Sequence, residues 1–180
     1  KTAYEIMPSL VGSEMCIRDR GQGSLAQKSI ESFERAVELN PDHHEALYYL
    51  GHQYLRQQNH AGAAKAFERL TAVRPGLADG YFLQATALEE LGEVDRAIEA
   101  LEKSLKIRSD RAESLSLLAR LYERKERFDE AVETYRAALR NNPNVKPQLE
   151  LGDLLVRLER YEEGISLLRE AAASHPQNTD

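Results

Sequence analysis

Past residue 20 this chain has no cysteine and no methionine: Cys16, Met7 and Met15 all lie within Lys1 to Arg20. Without thiols in the remaining 160 residues no thiolate metal site can form there, and cysteine usage leaves the compartment open, so localisation is unassigned. Long apolar runs are lacking too. None approaches the roughly 20 residues needed to cross a bilayer, so no membrane segment is expected in the usable part. Positive charge is in deficit, the net formal charge being −6 with no basic stripe, which disfavours nucleic acid as a partner. Nucleophile elbow, glycine-rich phosphate loop and zinc spacing are all missing, so the expectation is no enzyme, no cofactor and no metal. His43 and His44 adjoin, with His52 two turns on, yet neighbours on a helix diverge, and the expectation is solvent-exposed histidines. Glu89 and Glu90 diverge in the same way and read as acidic surface rather than a catalytic pair.

The clustering of rare residues in the first 20 positions sets that stretch apart. Lys1-Thr2-Ala3-Tyr4-Glu5-Ile6 and Val11-Gly12-Ser13-Glu14-Met15-Cys16-Ile17-Arg18-Asp19 resemble the two in-frame flanks of a translated sequencing-library adapter, with Met7-Pro8 spanning the index between them. Residues 1 to 20 are therefore set aside as adapter-derived, and the biological sequence is expected to start near Gly21, inside a longer gene. The net charge is unaffected, because Lys1, Arg18 and Arg20 balance Glu5, Glu14 and Asp19.

What the chain does have is a ruler. Pro41, Pro75, Ser109 and Pro143 fall on one 34-residue beat, with Pro176 a residue early. Around the marks a pattern returns, as in Phe33-x-x-Ala36-x-x-x-x-Pro41 and Leu50-Gly51-x-x-Tyr54, then Ala63-x-x-x-Phe67 and Pro75. Leu47, Leu50 and Tyr54, like Ala63, Phe67 and Leu70, keep helical spacing, which predicts two amphipathic helices per repeat. In period and pattern the chain resembles the tetratricopeptide repeat, over residues 24 to 178. The resemblance implies an all-α fold, a right-handed α-solenoid of antiparallel helix pairs. Four complete units are expected, at 44–77, 78–111, 112–144 and 145–178. Residues 21–43 supply the second helix of a truncated unit, and 179–180 form a tail.

Close helix pairs need small side chains where they cross. The eighth position of each unit holds Gly51, Ala85, Ala119 and Gly152; the twentieth holds Ala63, Ala97, Ala131 and Gly164. Gly and Ala make up about a fifth of the usable residues, so eight small residues at eight places arise by chance about once in a million. Large residues are expected to fill the space beside the crossing: Phe67, Leu101, Tyr135 and Leu168 in second helices, and Tyr54, Leu88, Tyr122 and Leu155 in first ones. Asp42 with Glu45, and Asp110 with Glu113, read as capping boxes at helix starts. Asn59 and Gly92 occupy turns that tolerate left-handed backbone, whereas Glu126 and Glu159 imply that the turn does not require such residues. Pro147 falls in a first helical turn, where its missing N–H costs nothing.

By resemblance, first helices line a concave groove. Carried over, the peptide-binding residues are Tyr48, Tyr49, His52, Arg56, Phe82, Leu83, Leu117, Arg120 and Arg124, with Glu89, Glu90, Glu123, Lys146, Glu150, Asp153 and Arg157 also facing it. The expected function is a non-catalytic protein–protein interaction scaffold that binds a peptide or partner segment, Arg120 and Arg124 serving as anionic anchors. Tyr48 and Tyr49 have a plainer alternative use, packing against a neighbouring unit. The clamp by which some family members hold acidic C-terminal peptides is not supported, because Tyr48 and His52 stand in its places. A second reading is the interaction arm of a larger enzyme such as a glycosyltransferase or sulfotransferase. Uncapped ends, exposing Ile165 and Leu168, predict fraying and weak self-association.

Overall fold

The computed structural model describes residues 22–141 and 145–174; the adapter-like residues 1–20, Pro143, Pro176 and the tail at 179–180 lie outside them. The described residues form nine helices and no strand: α1 Gln22–Leu39, α2 His44–Arg56, α3 His60–Val73, α4 Ala78–Glu90, α5 Val94–Ile107, α6 Ala112–Arg124, α7 Phe128–Asn141, α8 Val145–Arg157 and α9 Tyr161–Ser174. Two compact bodies share them, one ending at Ala100 and the other beginning at Leu101, inside α5.

Within each pair the helices are joined by a turn of the same construction at every repeat. In the first, Asn59 N–H donates back to the Tyr54 carbonyl at 2.8 Å and Gln58 N–H to Leu55 at 2.9 Å. The same two bonds recur at Glu93 and Gly92, at Arg127 and Glu126, and at Arg160 and Glu159. This bonding satisfies carbonyls left open at a helix end, and it needs one residue in the left-handed region. Gln58, Gly92, Glu126 and Glu159 take that place, with φ of 58°, 76°, 58° and 61°. The turn thus demands left-handed backbone but not glycine or asparagine, as Glu126 and Glu159 implied; Asn59, expected at that place, is the exception. Three non-glycine residues accept the strained conformation because two backbone bonds hold it. Asn59 lies one position later at φ −84°, where its side chain caps α3 by accepting from Gly62 N–H at 2.9 Å.

The expected capping boxes are also corrected. His43, not Asp42, caps α2: its Nδ1 accepts from the Ala46 N–H at 3.5 Å, while Asp42 is exposed and uses its own N–H on Asn40 Oδ1. Arg111, not Asp110, stands at the cap of α6 and makes no side-chain cap bond. In both cases the corner places the cap one residue beyond the acidic side chain.

All eight small crossing residues are buried. In the N-terminal body a Cβ added to Gly51 would lie 2.5 Å from the Phe67 ring. In the C-terminal body a Cβ on Gly152 would meet Leu168 at 2.7 Å, and one on Gly164 the Gly152 carbonyl at 2.9 Å. Phe67, Leu88, Leu101, Tyr135 and Leu155 fill the space beside the crossings and are essentially inaccessible, each contributing about 1.5–3 kcal/mol on burial. Tyr54 and Leu168 are only half-buried, so they edge the core rather than fill it. Pro147 is buried at the third residue of α8. Around the outside, Glu68–Arg96 and Arg136–Glu163 bridge successive second helices, though exposed pairs of this kind stabilise little.

Candidate functional site

On α2 of the N-terminal body, Tyr48, Tyr49 and His52 are neighbours because positions three and four apart share a helix face. Tyr48 stands edge-on to Tyr49, centroids 5.6 Å apart at 84°, and to His52, 4.5 Å apart at 62°. Tyr49 stacks on Phe33 of α1 at 5.6 Å and 17°, and His52 meets Phe67 of α3 edge-on. The plainer use of Tyr49, packing on a neighbouring repeat, is therefore realised, yet both tyrosines keep part of their surface in solvent. Phe33 and Phe67, which back the cluster, were missed as site residues. Their 34-residue separation was the signal that relates them. Arg56 is exposed at the end of α2, and Phe82 and Leu83 are half-buried on α4.

The histidines are not solvent-exposed as the sequence suggested. His43 is buried at its cap, and half-buried His44 lies 3.1 Å from both Arg74 and Glu45. His52 is half-buried with its Nε2 enclosed and unbonded, and desolvation lowers its pKa below the usual imidazole value. A neutral ring is the form this packing favours.

The C-terminal body presents a different first-helix surface. Leu117 is 6% exposed, a core residue rather than the groove contact the resemblance implied. Arg120 is half-buried and Arg124 exposed. Glu123 accepts hydrogen bonds from the Tyr135 hydroxyl at 2.8 Å and from the Arg157 guanidinium, which also donates to Asp153 at 3.0 Å. Burial pushes the half-buried Glu150 carboxyl up, and the Lys146 and Arg120 cations oppose that shift. Charge on this surface is answered within it, so Arg120 is engaged by acid of its own chain.

A cleft of about 630 Å³ between α1, α2 and α3 was also invisible in the sequence; Val37, Leu47 and Leu50 line it, with Glu34 and Glu38 on one helix and Lys65 and Arg69 on another. At the last described helix, Tyr161 and Ile165 are 53% and 42% exposed. Among the described residues no group of three or more histidine, cysteine or acidic residues could hold a metal ion, and no helix is long and apolar enough to cross a membrane.

Paired helices closed by a repeated left-handed turn and packed on glycine and alanine define a helical-repeat protein. The chain belongs to the tetratricopeptide repeat family, whose model matches residues 18–78, 50–113, 82–146 and 116–179. Proteins of this fold are generally non-catalytic scaffolds for protein–protein interaction. Among curated proteins none matches the chain in sequence. Several solved structures share the fold. MamA 41-end from Desulfovibrio magneticus RS-1 is 14% identical with a TM-score of 0.84, over 99% of this chain and 97% of that one. YrrB, described as a TPR protein with an unusual peptide-binding site, is 18% identical with a TM-score of 0.76, over 88% and 82%. TTC0263, a thermophilic TPR protein of Thermus thermophilus, is 19% identical with a TM-score of 0.66, over 98% and 93%.

Proposed function

We propose that the chain is a non-catalytic interaction module whose first helices contact a partner protein, each of the two bodies through its own residues, the repeats being 44–77, 78–111, 112–144 and 145–178. In the N-terminal body the contacts are Tyr48, Tyr49, His52, Arg56, Phe82 and Leu83; in the C-terminal body they are Arg124 and, beside its own acid, Arg120. The observation that carries this reading is the half-exposed ring cluster of Tyr48, Tyr49 and His52, since aromatic side chains held by their neighbours bind with little loss of conformational freedom. The peptide-binding site named for YrrB is a second support, from the same fold.

The test is a peptide selected from a random library on the intact chain. Tyr48→Ala with Phe82→Ala should weaken its binding by about tenfold or more, the scale of a hot-spot loss, with circular dichroism unchanged. Equal binding by a folded double variant would remove this face from the account. Self-association through the exposed Tyr161 and Ile165 of α9 is a further part of the proposal, checked by concentration-dependent sedimentation.

A further inference from the structure

Resting on that interaction reading, we propose that the N-terminal body takes a basic partner segment, seating arginine or lysine side chains against the Tyr48 and Tyr49 rings. Cations are drawn to the negative faces of aromatic rings, more strongly where the ring is fixed and partly desolvated. Both conditions hold here. Tyr48 is braced edge-on by Tyr49 and His52, and Tyr49 is backed by Phe33, so neither ring swings freely.

Charge is the second argument. The two first helices of this body, α2 and α4, carry Glu45, Asp79, Glu89 and Glu90 against Arg56 alone. On α6 and α8 of the other body, Glu113, Glu123, Glu150 and Asp153 are matched by Arg120, Arg124, Lys146 and Arg157. Acidic excess on the first helices thus coincides with the aromatic cluster, the combination that favours a cationic segment and repels an acidic one. His52 does not offset it, since burial favours the neutral imidazole.

Fluorescence anisotropy of the intact chain with short labelled peptides tests this, using alternating Arg-Gly, Glu-Gly and Leu-Gly sequences at low and physiological salt. The Arg-Gly peptide should bind at least about tenfold tighter than the Glu-Gly one. Tyr48→Ala should reduce that binding severalfold and Tyr48→Phe should keep it, a pair that separates ring loss from misfolding. Glu89→Gln with Glu90→Gln should weaken binding and flatten its salt dependence. Preference for the Leu-Gly or Glu-Gly peptide, abolished by Tyr48→Ala, would overturn the basic ligand while leaving the interaction face standing. Arg-Gly binding untouched by Tyr48→Ala would overturn the site, and failure of all three peptides would overturn both readings.

Discussion

Glu123 accepts the Tyr135 hydroxyl hydrogen at 2.8 Å and also binds the Arg157 guanidinium, so one carboxylate ties α6, α7 and α8 together. The phenol is otherwise wholly buried, and the bond satisfies its only polar atom. Tyr135→Phe should cost about 1.5–3 kcal/mol, the range for a hydrogen bond to a charged group, as read by chemical denaturation at neutral pH.

Burial, reinforced by carboxylate hydrogen bonds, governs the alkaline behaviour of two phenols. Burial, then the bond to and charge of Glu34, push the Tyr54 phenol up to about 12, and burial with the Glu123 bond raises Tyr135 still further. Both lie above the ordinary value near 10 that the unfolded chain retains. The fold therefore favours the protonated phenol. Its stabilisation is complete below pH 10 and is lost as pH climbs from there toward and beyond 12. Melting temperature should fall over that window, and less steeply in Tyr54→Phe with Tyr135→Phe; identical pH profiles would contradict the assignment.

Crossing residues leave no room for growth. Gly51→Ala would drive a methyl into the Phe67 ring, and Ala97→Leu would overpack a site with no accessible surface, each costing about 1–3 kcal/mol. Gly76, where an added Cβ meets nothing within 4 Å, is the control. Gly76→Ala should leave stability unchanged or raise it by up to about 1 kcal/mol.

At the turns, substitution should have opposite signs by position. Glu126 sits at φ 58° and Gly92 at φ 76° in equivalent places. Glu126→Gly relieves a side chain from left-handed backbone and should stabilise by about 0.5–1 kcal/mol, whereas Gly92→Ala should destabilise by a similar amount. Thermal melts of the two single variants moving the same way would count against the strain argument.

Capping is separable between neighbours. His43→Ala should cost about 1 kcal/mol because it removes the acceptor for Ala46 N–H, while Asp42→Ala, an exposed residue, should be close to neutral. The reverse order in urea midpoints would restore the acidic cap.

What the sequence by itself determined is the repeating part: helix pairs on a 34-residue period, small residues at their crossings, large ones beside them. These are legible because each repeat meets the same packing problem, so the answer recurs at fixed spacing and local periodicity exposes it. Only the tertiary structure decided the rest. Leu117 is buried while Tyr48 on another first helix stays half-exposed, although both were assigned to the groove by position within the repeat. The Phe33–Tyr49 stack and the Glu123 junction depend on which side chains neighbouring helices bring within reach. Likewise, His43 rather than Asp42 became a cap because a one-residue difference in where the corner ends changes which side chain meets a free N–H. Period fixes a residue's place along its own helix; the surfaces packed against it fix whether that place meets protein or water.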